Sequence, residues 1–175
     1  MLSAVDNTQI SQTFQVVPNM VIEVGPVKIP EYQNRPQIVI QNKDKTLTFS
    51  EFDRWGESLD ISLARLINQD MALMLPGANI QMFPANLTMP IKYQIIVDVL
   101  QLKSELDKDI FLVVQWSILD VQNNKVMFTK RSEFRQVIDP PNYAGLAQTL
   151  SAVCISLSSE IAKEIASIAI PVYKK

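Results

Sequence analysis

No histidine occurs in these 175 residues, and there is a single cysteine, Cys154. The first absence removes the commonest general base and metal ligand, and with them the Ser-His and Cys-His nucleophile pairs. A zinc site built from carboxylates and one thiolate would be unusual. The lone thiol has no partner for an intramolecular disulfide, so cysteine usage leaves the redox compartment open. Glycine is scarce too, with four in the chain. There is no GxGxxG, P-loop, GxSxG or CxxC pattern, so phosphate-cradling loops have little material. The net charge of −2, with Lys and Arg scattered, offers no basic stripe to nucleic acid. No apolar run approaches a membrane span, and the longest, such as Ile110–Val114, suit strands. The sequence assigns no catalytic residue, no cofactor and no metal.

The composition, 47% hydrophobic and 19% charged, is that of a globular chain long enough for one well-buried domain. Val21–Val27 reads as a strand ended by Gly25-Pro26 and Pro30. Ile38–Gln41 is a short strand, Asn42–Lys45 a turn, and Thr46–Phe52 extended, with Leu47, Phe49 and Glu51 on one face. A helix is expected from near Asp53, its cap, to near Leu75. Leu59, Leu63, Leu66, Ile67, Met71 and Met74 give it an apolar stripe, and Pro76-Gly77 stops it. Asn79–Phe83 is a short strand.

Three long strands follow, Tyr93–Lys103, Phe111–Leu119 and Val126–Val137, joined by short polar loops that suit hairpins. The first two are apolar on both faces, as strands covered by helices would be. The third carries Lys130, Arg131, Glu133 and Arg135 and reads as a charged edge. Asn142 caps a second helix with a stripe from Leu146 to Ile168, beside a small-residue row from Ala147 to Ala162. Pro171 ends it. The expected fold is α+β: a single domain whose mixed, mostly antiparallel sheet is packed by two long helices in two or three layers.

Asp53, Glu57 and Asp60 are the best carboxylate cluster, and an acid/base pair would require two of them to converge on a substrate. Acids at a helix start are favoured simply for capping, and that reading is preferred to a hydrolase built on Asp53 and Glu57. Arg54-Trp55 has the composition of a binding hot spot. The packing alternative puts Trp55 in the core and pairs Arg54 with a carboxylate, and it is preferred. Cys154 reads as a buried, inert thiol, and Met71, Met74, Met82 and Met89 as core filler.

Arg35-Pro36-Gln37-Ile38-Val39-Ile40, followed by Leu47-Thr48-Phe49-Ser50-Glu51-Phe52-Asp53-Arg54-Trp55-Gly56-Glu57-Ser58-Leu59, resembles the ABC-type transport auxiliary lipoprotein family. These are PqiC-like lipoproteins associated with MCE-domain transport systems. The resemblance extends to Trp116, to the charged strand Phe128–Phe134 and to the Y-x-x-L helix Tyr143–Ile165. Gly56 departs from it, standing where alanine is usual.

The resemblance implies a non-enzymatic accessory lipoprotein of an MCE/ABC-type system moving lipids or other hydrophobic molecules between membranes. It implies docking onto the MCE-domain partner, indirect contact with permease or ABC components, and a possible ring-shaped homo-oligomer. The place would be the periplasm of a Gram-negative bacterium, lipid-anchored to the outer membrane. Residues 1–20 are then expected to be a flexible segment following a removed signal and anchor, and 21–170 the domain. Arg35, Pro36, Gln37, Asp53, Arg54, Trp55 and Glu57 are the family-motif residues and possible interface. The alternative is a direct lipid carrier with an apolar cavity between helices and sheet.

Overall fold

The computed structural model describes residues 12–86 and 89–169, except for the side chains of Phe52 and Asp53. Its elements run β1 (Val21–Lys28), β2 (Gln37–Gln41), β3 (Leu47–Arg54), α1 (Leu59–Met74), β4 (Asn79–Met82), β5 (Tyr93–Ser104), β6 (Asp109–Asp120), β7 (Lys125–Val137) and α2 (Tyr143–Ala169). Five strands form one sheet in the order β4-β1-β5-β6-β7, and β2 and β3 pair separately as a hairpin. β1 runs parallel to both neighbours, while β5, β6 and β7 are antiparallel over long registers. The architecture is α+β with a mixed, mostly antiparallel sheet, as expected.

Both helices cover the same face of that sheet. On β5, Tyr93, Ile95, Val97 and Val99 are buried, while Gln94, Ile96, Asp98 and Leu100 on the other face are half or fully exposed. Double coverage of the central strands is therefore corrected: the domain has two layers, and the alternation along β5 marks the open side. Between the layers lies one core joining Ile22, Val24, Ile95, Val114 and Trp116 of the sheet to Leu63, Met71, Leu150 and Ile161 of the helices. Burying each such side chain stabilises the fold by roughly 1.5–3 kcal/mol.

β1 does not stop at Gly25-Pro26. It continues to Lys28 through a register shift between Val24 and Val27. Gly25 has φ +118°, open to glycine and strained for other residues, and Pro26, lacking an N–H, sits where the ladder is already interrupted.

The second correction concerns α1. Asp53 lies in β3, and the helix begins at Leu59 behind Ser58, which caps in extended conformation without a side-chain bond. Hairpin pairing overrides the capping signal: Arg54 pairs across to Gln37, and the Trp55 N–H reaches the Pro36 carbonyl. The expected stripe from Leu59 to Met74 is buried as drawn. α2 begins where expected, with Asn142 Oδ1 accepting the Gly145 N–H at 2.8 Å. Its described part ends at Ala169, so the stop at Pro171 falls outside the described residues.

Of the segment expected to be flexible, 1–20, residues 1–11 lie outside the described residues. From residue 12 onward the chain is tied to the end of α1, with the Phe14 N–H donating to the Met74 carbonyl at 2.7 Å and Val16 buried.

Candidate functional site

The family-motif residues meet at the base of the β2–β3 hairpin. The loop ahead of β2 turns on Pro30, whose carbonyl accepts the N–H groups of Gln33 and Asn34. Gln33 is buried and donates from Nε2 to the Leu102 carbonyl at 2.9 Å, clamping that loop to the sheet beyond the end of β1. Arg35 follows, exposed, with its guanidinium 5.1 Å from the Phe49 ring centroid, a cation–π stack across the hairpin. Pro36, with no N–H of its own, supplies the carbonyl for Trp55 at 2.8 Å. Gln37 is the cross-strand partner of Arg54. The two halves of the motif, eighteen positions apart, are neighbours.

Trp55 is 8% exposed and part of the core, as the packing reading holds. Arg54 departs from that reading. It is exposed and makes no ion pair among the described residues, so its charge is left to solvent or a partner. The outer face of β3 carries Leu47 and Phe49, each 41% exposed, so the apolar alternation of this strand points away from the core. Glu57 is paired within the chain. Its carboxylate accepts from both terminal nitrogens of Arg65 and from Ser62 Oγ. Asp60 Oδ1 caps its own helix by accepting the Ile61 N–H at 2.8 Å. The side chain of Asp53 lies outside the described residues. Among the described residues no three carboxylate or thiol groups cluster as metal ligands, and no helix is long and apolar enough to cross a membrane.

Beside the hairpin turn lies an open groove of about 680 Å³. Ile40, Lys43 and Thr48 form one wall, Glu105 and Asp107 of the β5–β6 turn the other, with Tyr143 at the start of α2. An exposed ion pair, Lys43 Nζ to Asp107 Oδ2 at 3.0 Å, joins the walls. Such a pair is worth little on its own.

Sequence reasoning missed a buried acid. Asp70 of α1 faces α2, and Ser158 Oγ donates to it at 3.2 Å. Burial pushes its carboxyl up to about 6. Burial also pushes the Cys154 thiol well above its usual range, with the Asp70 charge adding to the shift, so Cys154 is inert. Helical spacing alone placed Asp70 beside the apolar stripe, and no local motif marked it.

The model of the ABC-type transport auxiliary lipoprotein component matches residues 2–162. The chain belongs to this family. A comparison with curated proteins finds no match. Among solved structures, an uncharacterised protein superposes with TM-score 0.73 at 18% identity, over 88% of this chain and 99% of its own. A protein from Xanthomonas campestris gives 0.68 at 9% identity, covering 89% and 95%. The PelC dodecamer from Paraburkholderia phytofirmans gives 0.51 at 14% identity, covering 90% and 94%. At these identities the likeness is one of fold. In this chain Arg35-Pro36-Gln37 and Asp53-Arg54-Trp55 lie side by side at the base of one hairpin, with Arg35, Phe49 and Arg54 exposed.

Proposed function

We propose that this auxiliary lipoprotein is a non-enzymatic periplasmic accessory of an MCE/ABC-type lipid transport system, docking onto the MCE-domain partner at the outer membrane. The tether to a lipid anchor would lie ahead of residue 12, because Phe14 and Val16 already pack on the docking domain. Permease and ABC components are reached only through the MCE partner. The observation that carries this reading is the family match over residues 2–162. Two features favour docking over chemistry. Glu57 and Asp60 are already engaged by partners within the chain, while Arg35, Phe49 and Arg54 on the hairpin stand exposed. A ring-shaped homo-oligomer belongs to the same reading, and the similarly folded PelC dodecamer favours an oligomer.

Direct lipid carriage drew its motivation from the methionines of α1. Met71 and Met74 are fully buried in the core, so packing accounts for them.

Affinity isolation of the lipidated protein from native membranes tests the proposal. Recovery of an MCE-domain protein supports it. A lipoprotein present in the membrane fraction without such a partner sinks the docking role.

A further inference from the structure

β7 is an edge strand thirteen residues long whose outer backbone has no neighbour in the sheet among the described residues. Edges of this length are templates for pairing with another chain, which proteins avoid with short strands, bulges or charges. On β7 the open-face charges alternate in sign, Arg131, Glu133, Arg135, so a chosen register can match them rather than oppose like to like. Here the stretch Phe128–Gln136 is regular, since the only irregularity against β6 falls between the partners of Ile118 and Leu119. On the helix-covered face this stretch bears Phe128, Lys130, Ser132 and Phe134. On the open face it bears Thr129, Arg131, Glu133 and Arg135.

We infer that β7 pairs antiparallel with β7 of a second copy, about a twofold axis at Ser132, joining the two sheets into one. With the helices of both copies on the same face, residues of like parity must oppose each other. Centring on Ser132 sets Arg131 opposite Glu133 of the copy, and by symmetry Glu133 opposite its Arg131. These two charges already pair within the chain at 3.1 Å, both more than half exposed, and the second copy would close them into an alternating square.

The neighbouring registers are repelled. Centring on Arg131 opposes that arginine to itself. Centring on Glu133 opposes Glu133 to itself and Arg131 to Arg135. Centring on Lys130 opposes two ammonium groups. Centring on Phe134 also opposes unlike charges, Glu133 to Arg135, but β7 ends at Val137, so only Arg131–Val137 would pair, against Met127–Val137 in the Ser132 register. The Ser132 register also brings Val126, 58% exposed, near the copy's Val137, 69% exposed, so the apolar ends of the strand cover each other. Lys130 remains held by Glu160 at 2.8 Å beneath the seam.

This contact is isologous and closes at two copies, so any ring uses a different surface. It does not rest on the transport reading, because the charges that select it belong to β7 alone. The test is sedimentation of the purified protein over a range of concentrations, with the variants R131E, E133R and the exchanged double R131E/E133R. All three alter exposed side chains, and circular dichroism checks that each folds.

The expected result is a concentration-dependent dimer, lost in either single variant and regained in the double, where opposite charges face each other again with their places exchanged. The register is read by T129C/R135C: position 129 opposes 135 of the copy only in a Ser132-centred pair, while T129C alone and R135C alone report the 129–129 and 135–135 contacts of other registers. Six residues apart on one strand, the two cysteines are too distant to link within a chain. Mild oxidation should give a covalent dimer from the double variant and none from T129C or R135C alone. A monomer at every concentration overturns the inference. So does an assembly, ring or not, whose mass is the same in the parent and both single variants, or a double cysteine variant that fails to cross-link.

Discussion

The Pro36 carbonyl accepts the Trp55 N–H at 2.8 Å, and this one bond closes the family motif into a structural unit. It holds the chain extended past Arg54 and delivers the indole into the core, so that α1 starts at Leu59 rather than directly behind Asp53. Replacing Trp55 by Ala should destabilise the domain by roughly 3–5 kcal/mol, the cost of emptying a buried aromatic site. Trp55→Phe should cost distinctly less. Chemical denaturation followed by circular dichroism measures both.

Asp70 makes stability depend on pH in a direction opposite to most acids. Its carboxyl titrates near 6 in the fold against an ordinary value of 3.8, because burial disfavours the charge. The stability it contributes is fully present below the ordinary range and is lost as pH rises through about 6. At neutral pH the ionised group costs up to about 3 kcal/mol. Asp70→Asn keeps an acceptor for Ser158 and removes the charge, so it should stabilise the protein near neutrality and change little in mild acid. Asp120 behaves conventionally: bonds from Lys92 and Asn123 hold it down to about 2, so its contribution is lost only as pH falls toward that value. Urea midpoints of Asp70→Asn and the parent across the acid range separate the two.

Gly145 should tolerate no side chain. A Cβ there would lie 1.9 Å from the Pro140 carbonyl oxygen, and that oxygen is backbone that also accepts the Asn142 N–H. Gly145→Ala should cost about 1–3 kcal/mol through overpacking at the start of α2. Asn142→Ala, which removes only the cap, should cost about 1 kcal/mol. Thermal unfolding ranks them.

The strand positions along the chain, both helix stripes, the charged edge and the Asn142 cap were readable because each rests on local periodicity or a local bond, while the sheet order β4-β1-β5-β6-β7 rests on long-range pairing and was not. Asp53 shows the limit. Its sequence has the form of a cap, but the competing partner of that segment is Pro36, and nothing local reports which wins. The open face of β5 was obscured for a related reason: Ile96 and Leu100 are apolar, yet they lie on the uncovered side. The motif was legible as an identifier, while its geometry, with Arg54 in no ion pair among the described residues and Glu57 taken by Arg65, needed the fold.

Glu57→Gln should leave the protein folded and cost about 1 kcal/mol, since the pair with Arg65 is only partly buried. A carboxylate serving chemistry would instead leave stability intact and abolish a turnover. Thermal unfolding of the variant, run beside a hydrolase substrate screen of both proteins, distinguishes these.

The docking role is tested most directly by titrating the purified MCE-domain protein of the same transport system with this lipoprotein and with its Arg54→Ala variant. Arg54 is exposed and unpaired among the described residues, so the variant should unfold at the parent temperature. Saturable binding by the parent, weakened several-fold in Arg54→Ala, is the predicted result. No binding by the full-length lipidated parent would contradict the account.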